Sequence, residues 1–332
     1  MIGRRRLAVL LGVLVASSPA LAQTKAKRRL AIVHPVRTRA ESEAAGVTWY
    51  RDFFAELRRL GFAEDTNLAV EPWARRGETA RYEALAREVL ATKPDAVLVF
   101  TSRLAIGFRK AGSDVPVVFN GGSALAWGLV DSLARPGGNL TGFSSEDDPS
   151  LRGKAVEFLH EIVPTAKTVA LLIQRSLWDT RHESTFGAAA RSRGLTPVGM
   201  LLNDPIGPAE YHRVFSEVGI KGVDLLVVAD LEENSTYRRL IVELAAQYQL
   251  PACYIHHATR HFGEMVSYGA DGSEHPRMMA GYVARILNGE KPADMPVQIL
   301  EKYRMVINLK TAKALGLTIP PAILDRANEV IE

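Results

Sequence analysis

The sequence has a single cysteine among its 332 residues, and this scarcity excludes an internal disulfide. Cys253 lies in the apolar run 250–254, where we expect a small buried side chain; a reactive thiol is the alternative. The fold must therefore be held by its hydrophobic core. Because hydrophobic residues make up 47% of the chain, that core can serve one large or two ordinary α/β domains.

The sequence also lacks an apolar run long enough to cross a membrane. The N-terminal run 7–15 has about half of the roughly 20 residues that a spanning helix needs. It follows the arginines at 4–6 and precedes the small residues 20–22, which is the order of a secretory signal. We expect cleavage after Ala22 and, because Gln23 takes the place of a lipid-bearing cysteine, a protein free in the periplasm. A membrane anchor is the alternative.

An excess of charge is missing as well. The predicted signal peptide, 1–22, holds three of the 41 Lys and Arg and none of the 37 Asp and Glu, so 38 basic residues stand against 37 acidic ones in the mature chain. A nucleic-acid-binding protein needs a clustered basic surface and a recognisable reading module. The short basic run at 25–29 is typical of a solvated tail. We therefore expect no nucleic-acid partner.

What is present is a regular alternation of short β-branched runs with longer amphipathic segments. This alternation predicts βαβ units and a parallel sheet. The order of elements in 30–119 recurs in 169–254, and the clearest echo is between VPVVF at 115–119 and LPACY at 250–254. We therefore predict an α/β protein with two doubly wound parallel-sheet lobes that are structural repeats.

Two segments outside the repeats indicate where the chain changes lobe. The Pro- and Gly-rich stretch 134–142 suits a crossover, and 265–269 is predicted to be a strand that returns the chain to lobe one before the helix 275–287. The chain is then expected to cross between lobes three times. The predicted boundaries give each lobe two segments, 28–141 plus 268–300 for lobe one and 142–267 plus 301–332 for lobe two.

Three stretches resemble the substrate-binding proteins of ABC transporters, in particular the branch that includes tryptophan-type binding proteins. They are SLARPGGNLTG at 132–142, SYG at 267–269 and, most specifically, VINLKTAKALGLTIPP at 306–321. The resemblance implies the type I periplasmic binding-protein fold, with two lobes joined by three crossover strands. It also implies capture of a small solute by hinge closure and delivery to the ABC permease subunits and their ATPase. We expect a monomer with no cofactor, no metal and no catalysis.

The predicted binding residues are those that follow the predicted strands. Ligands of doubly wound sheets lie beyond the carboxyl ends of the strands, where helix N-termini offer N–H groups, and a ligand that contacts two such edges favours the closed form. The residues are Pro35, Arg37, Thr101, Ser102, Asn120, Gly121 and Ser123 in lobe one, and Gln174, Arg175, Trp178, Asp230 and His256 in lobe two. Thr101 and Ser102 also stand where a helix would begin, so helix capping is their alternative role.

Three arginines near these strand ends suggest the charge of the solute. Arg37, Arg103 and Arg175 each carry a guanidinium that can bind a carboxylate with two hydrogen bonds, which favours an anionic solute. Ordinary surface arginines are the alternative. Trp178 would stack on an aromatic solute or shield the edge of the cleft.

The sequence departs from the family pattern at two strand ends. Relatives have an Asp-Pro step where this chain has Gly122-Ser123, and an Asn-Pro step where it has Arg175-Ser176. The resemblance therefore does not identify the solute.

Other functions have weaker support in the sequence. His256, His257 and His261 do not complete a metal-ligand set, because adjacent histidines on a strand point to opposite faces and no carboxylate or thiol pattern accompanies them. An enzyme on the same kind of sheet would need motifs that the sequence lacks: the spaced glycines of a dinucleotide site, a G-x-S-x-G elbow or a phosphate loop. A sensory module that reports its ligand to a membrane receptor stays open.

Overall fold

The computed structural model describes residues 27–35, 39–44, 48–74, 81–125, 127–144, 149–178, 183–256, 262–300 and 302–332. The strands are β1 (Arg28–His34), β2 (Leu68–Ala74), β3 (Ala96–Val99), β4 (Val117–Gly121), β5 (Leu140–Ser144), β6 (Thr168–Gln174), β7 (Thr196–Leu202), β8 (Leu225–Val228), β9 (Ala252–Ile255), β10 (Val266–Ala270), β11 (Gln298–Ile299), β12 (Tyr303–Asn308) and β13 (Glu329–Ile331). The helices are α1 (Arg39–Ala44), α2 (Trp49–Arg59), α3 (Tyr82–Ala91), α4 (Ser102–Ala111), α5 (Pro149–Ile162), α6 (Arg175–Leu177), α7 (Glu183–Arg191), α8 (Pro208–Lys221), α9 (Glu232–Thr236), α10 (Arg238–Gln247), α11 (His275–Leu287), α12 (Leu309–Ala314) and α13 (Pro321–Leu324).

The strands form two mainly parallel sheets of the same topology. In lobe one the order is β11-β5-β4-β3-β1-β2, and in lobe two it is β13-β12-β10-β9-β8-β6-β7. Without the strands added at one edge, the five sequential strands of each lobe have one doubly wound order, 2-1-3-4-5. The antiparallel pairing of β10 with β12 is the exception to parallel pairing in lobe two. The predicted α/β fold with two doubly wound lobes is confirmed.

Each sheet is covered on both faces, which explains why its strands are continuously apolar. In β1, Leu30 and Ile32 pack on the side of α2 and α11, while Ala31 and Val33 pack on the side of α3 and α4. The sheet of lobe two lies in the same way between α5 with α7 on one face and α8 with α10 on the other. Within the described residues, no helix is both long and apolar enough to cross a membrane.

The chain passes between the sheets three times, after β5, after β10 and after β11. The segment predicted to return the chain to lobe one, 265–269, instead lies largely in β10, which pairs with β9 and β12 in lobe two. Strand period alone does not specify a partner strand, and the return to lobe one begins with α11, whose core residues pack with those of α2. The predicted boundaries 141/142 and 267/268 fall inside β5 and β10.

Two glycines let the crossing strands approach their neighbours closely. Gly142 in β5 has φ of +150°, and a Cβ added there would lie 2.0 Å from the carbonyl oxygen of Phe119 in β4. Gly269 in β10 makes a similar close approach in lobe two, where an added Cβ would lie 2.1 Å from the carbonyl oxygen of His256. In both lobes a side chain larger than hydrogen would push the crossing strand away from the sheet.

Candidate functional site

Side chains from the carboxyl edges of the two sheets meet between the lobes. Arg103, in the first turn of α4, donates from Nη1 to Oε1 of Glu233 at 2.7 Å and from Nη2 to Oε1 of Gln174 at 2.6 Å. The hydroxyl of Tyr82, at the start of α3, donates to Oε2 of Glu232 at 2.6 Å. We call the residues of this contact region the interlobe cluster: Tyr82, Thr101, Arg103, Gln174, Glu232 and Glu233.

The start of α4 is built tightly against the end of β4. Thr101 caps the helix, because its Oγ1 accepts from the N–H of Leu104 at 3.2 Å, and its hydroxyl also hydrogen-bonds with Glu232. Ser102 is buried, and a Cβ added at Gly121 would lie 2.4 Å from its Oγ. Gly121 therefore lets the end of β4 approach the first turn of α4. The cap that positions Thr101 also turns Arg103 toward lobe two.

Burial and neighbouring charges shift the pKa values of two groups in the interlobe cluster. Burial lowers the pKa of Arg103, but the charges of Glu233 and Glu232 outweigh that effect and raise the pKa overall. Burial raises the pKa of Glu232, although Thr101, Tyr82 and Arg103 oppose the rise. Arg103 is therefore permanently charged, and its charge is already matched by a carboxylate of lobe two.

Two buried oxygens near this contact have no hydrogen-bond partner in the described part of the chain. One is Oε2 of Glu233, a residue that is 6% exposed. The other is Oδ1 of Asn120, at the end of β4, the strand next to β3. Neighbouring Asn234 is satisfied, since it donates to the carbonyl of Ala229 at 2.9 Å and accepts from Tyr211 at 2.9 Å. The two unpartnered oxygens can accept hydrogen bonds from a bound molecule.

An aromatic group covers the carboxyl ends of β1 and β3 in lobe one. The rings of His34 and Phe100 lie 5.0 Å apart, Trp49 meets Phe100 edge-on at 4.7 Å, and Trp49 stacks on Phe53 at 4.8 Å. Phe53 is buried, but His34, Trp49 and Phe100 are half-buried. The half-buried rings give this edge an apolar wall that a planar or apolar solute can contact.

The predicted residues of lobe two differ in their burial and in their hydrogen-bond partners. Gln174 is buried in the interlobe cluster, and its amide also donates to Asp204 at 3.1 Å. Arg175 is exposed and donates to Oδ1 of Asn203 at 2.6 Å. Asp230 is exposed.

Trp178 packs on lobe two itself. Its ring lies 6.2 Å from the ring of Phe186, and a Cβ added at Gly199 of the edge strand β7 would lie 3.2 Å from it. These contacts give Trp178 a packing role at the outer edge of the sheet.

His256 is enclosed at the end of β9. It is 4% exposed, and its Nε2 lies 3.6 Å from Oε1 of the buried Glu264. Burial lowers the pKa of His256 and favours the neutral ring. Among the described residues, no group of three or more His, Cys, Asp or Glu side chains could hold a metal ion. His257 and His261 lie outside the described residues.

The remaining predicted residues also differ in their exposure. In lobe one, Pro35 is buried, and half-buried Ser123 begins a turn in which its carbonyl accepts from Trp127 at 3.0 Å. Arg37 lies outside the described residues. Cys253 is buried in β9, and burial raises the pKa of its thiol, which disfavours the reactive thiolate.

Several residues of this region were not predicted as binding residues, among them Tyr82, Glu233, Trp49 and Phe100. Phe100 directly follows β3, but its side chain is apolar, whereas the residues predicted at that strand end are the polar Thr101 and Ser102. Tyr82 begins α3, and its side chain is 2% exposed while its hydroxyl reaches the other lobe. Contacts between lobes depend on how the two sheets are oriented, which no local pattern encodes.

Comparison with known proteins agrees with this two-lobed architecture. The family model described as ABC transporter substrate binding protein matches residues 46–331. The chain belongs to this family. The tyrosine-binding protein of Clostridioides difficile (strain R20291) is 21% identical to this substrate-binding protein over 274 residues, which are 80% of this chain and 76% of the relative.

Solved structures show the same fold for this substrate-binding protein. The ABC domain from Streptococcus pneumoniae in complex with L-Trp superposes with a TM-score of 0.77 at 23% identity, covering 91% of this chain and 100% of that one. A conserved domain protein from Vibrio cholerae gives a TM-score of 0.80 at 23% identity, covering 92% and 99%. The type I periplasmic binding-protein fold is thereby confirmed. The interlobe cluster of this substrate-binding protein lies between its two lobes.

Proposed function

We propose that this chain is the exported solute-binding component of an ABC import system. It captures a small organic solute between the lobes and delivers it, as a monomer, to the permease subunits driven by their ATPase. The observation that carries this proposal is the direct contact of Arg103 in lobe one with Glu233 and Gln174 in lobe two. A molecule bound beside that contact gains interactions from both lobes at once, and this favours the closed form.

The described contacts support an apolar or aromatic part of the solute more than an anionic one. The charge of Arg103 is matched by Glu233, and Arg175 is exposed and bonded to Asn203. The half-buried rings of Trp49 and Phe100 offer a surface for an aromatic or apolar group. The relative that is named a tyrosine-binding protein supports the same class of solute.

A thermal-shift screen of residues 23–332 tests solute capture. The panel contains amino acids, aromatic acids, dicarboxylates and purines, because a molecule that binds only the folded protein raises the melting temperature by mass action. Arg103→Ala is expected to reduce the shift, and the matched surface variant Glu243→Gln on α10 is expected to retain it. If no solute class raises the melting temperature and the protein instead hydrolyses or oxidises a substrate, the proposal fails.

Import and export need tests in the cell. Deleting the gene should abolish high-affinity uptake of the solute found in the screen, and a plasmid copy should restore it. Normal uptake in the deletion strain, with loss of a transcriptional or chemotactic response, would assign a sensory role. Intact mass of the exported protein should correspond to a chain that begins at Gln23 without lipid. A retained segment 1–22 would contradict the predicted cleavage.

A further inference from the structure

Two of the three chain crossings between the lobes lie side by side. The segment that leaves β10 and the segment that enters β12 are joined by a hydrogen bond from the backbone N–H of Asp271 to the carbonyl of Lys302 at 2.7 Å. Next to this bond, Ala270 at the end of β10 pairs with Tyr303 at the start of β12 in antiparallel register. The two crossings therefore form a two-stranded ribbon at the border of lobe two, and we call residues 268–271 and 302–305 the hinge ribbon.

Packing changes from one lobe to the other within one step of the hinge ribbon. Tyr268 and its register partner Met305 pack in the core of lobe two, whereas Ala270 is buried in the core of lobe one. Residues two apart on a strand point to the same face and lie about 7 Å from each other. The border between the two hydrophobic cores therefore runs between positions 268 and 270.

Tyr303, the register partner of Ala270, reaches across that border. Among the hydrophobic side chains that the structure describes, it is the one that packs against the cores of both lobes. In lobe two its ring lies 5.8 Å from the ring of Tyr268, which meets Phe158 of α5 edge-on at 5.0 Å. In lobe one it packs against the core cluster that contains Ala270 and Leu300. A single half-buried ring thus links the two cores.

A rotation of one lobe against the other must change this double contact. Packed cores rearrange between discrete states and do not stretch continuously, because their side chains interlock. The ladder that pairs β10 with β12 holds the backbone of the hinge ribbon together, so the ring of Tyr303 has to exchange its contacts when the lobes move. Its double contact therefore stabilises the arrangement in which Arg103 and Glu233 meet.

We propose that Tyr303 is a positioning residue of the hinge, whose ring sets the balance between open and closed forms by packing against both cores. It thereby controls the affinity for the solute, since the apparent affinity falls with the fraction of molecules that are competent to bind. This inference rests on the hinge closure of the proposed function and adds the residue that controls it.

Small-angle X-ray scattering of the solute-free protein tests the hinge role before any solute is known. Tyr303→Leu keeps an apolar side chain but removes the ring that links the cores, so it should give a larger radius of gyration than wild type. Tyr303→Phe keeps the ring and should give the wild-type radius. Circular dichroism verifies that each variant is folded. If Tyr303→Leu does not fold, Tyr303→Met, which keeps more of the volume but not the ring, takes its place.

Tyr248→Leu is the matched control. Tyr248 directly follows α10 and is also a half-buried tyrosine, but it packs against a core cluster of lobe two only, with its ring 6.0 Å from the ring of Phe215. Its replacement should lower the free energy of unfolding and leave the radius of gyration unchanged. A merely structural role of Tyr303 would give the same result in Tyr303→Leu.

Isothermal titration calorimetry connects the hinge with affinity. Each compound of the thermal-shift panel that raises the melting temperature is titrated into wild type, Tyr303→Leu and Tyr248→Leu. Tyr303→Leu is expected to bind about tenfold more weakly than wild type, because fewer molecules are in the closed form, and Tyr248→Leu should bind like wild type. At saturation the radius of gyration of Tyr303→Leu should equal that of saturated wild type, since the bound compound restores the closed form.

The outcomes separate this inference from the proposed function. A wild-type radius in solute-free Tyr303→Leu overturns the hinge role even if binding is weaker, because weaker binding alone would indicate contact with the solute. If Tyr303→Leu has the larger radius but no compound of the panel binds the wild-type protein, the hinge role stands although the proposed function fails. A larger radius together with weaker binding supports both.

Discussion

Nη1 of Arg103 and Oε1 of Glu233 lie 2.7 Å apart although 130 residues separate them in the chain, and they join the two lobes. Their side chains are 18% and 7% exposed, so the pair exists largely out of water. In the opening of the lobes that we propose, both groups regain hydration. The strength of this contact therefore affects the balance between open and closed forms more than it affects folding.

Arg103→Ala should shift the protein toward the open form. Breaking a buried pair costs about 3–5 kcal/mol because one charge stays buried without a partner, and here that cost falls on the closed form. Small-angle X-ray scattering should give a larger radius of gyration with solute present than for wild type. Arg103→Lys keeps the charge but loses one of the two hydrogen bonds, so it should give an intermediate value. An unchanged radius in Arg103→Ala would contradict this role.

Gly142→Ala and Gly269→Ala should each destabilise the protein by roughly 3 kcal/mol, because the added methyl group collides with the neighbouring backbone. Chemical denaturation measures the change in the free energy of unfolding. The matched control is Gly281→Ala in α11, where an added Cβ meets no atom within 4 Å. That change should stabilise the helix by about 0.5–1 kcal/mol. Equal effects at the three sites would refute the close approach.

Glu210 should give lobe two a stability that depends on acid pH. The hydrogen bond from Arg213, with others from Asn203, lowers the pKa of Glu210 from 4.5 to about 2. Between these values the unfolded chain binds a proton that the folded chain does not. The stabilisation is therefore complete above about pH 4.5 and is lost as the pH falls toward 2.

Comparison of wild type with Glu210→Gln measures this contribution. The difference between their free energies of unfolding should be about 1 kcal/mol at pH 6, since solvent screens a pair at the surface, and it should shrink on acidification. A difference that is constant from pH 6 to pH 3 would show that the carboxylate charge is not the cause.

Trp49 should report binding by its fluorescence. It contacts Phe100 at 4.7 Å in the aromatic group that we propose to face the solute, so a bound solute changes the polarity around its ring. Trp49→Phe keeps the packing on Phe53 and should remove more than half of the emission change on solute addition. Retention of the full change would place the solute elsewhere.

The fold was more predictable than the site. The helix 275–287 is predicted with the bounds that the structure has, because apolar periodicity and a proline near its start define it locally. The pairing of β10 within lobe two was not predicted, since a strand with two apolar faces carries no mark of its partner.

For the site, the strand-end rule selects Gln174, which lies in the interlobe cluster, because that position follows from topology alone; its role in binding stays a prediction. The same rule selects Arg175, which is exposed, and Trp178, which packs on Phe186, and the binding role of both stays a prediction. Glu233 was not predicted, because its importance depends on an arginine that arrives from the opposite lobe.

Because the sequence has a single cysteine, the rate at which its thiol is alkylated measures the opening of one lobe. Cys253 is 0% exposed on β9, between β8 and β10, so an alkylating reagent reaches its thiol only when the sheet of lobe two comes apart. Lobe one has no thiol to react. The rate of alkylation therefore measures the unfolding of lobe two alone. A solute that bridges both lobes should lower this rate in proportion to the fraction of time for which it is bound.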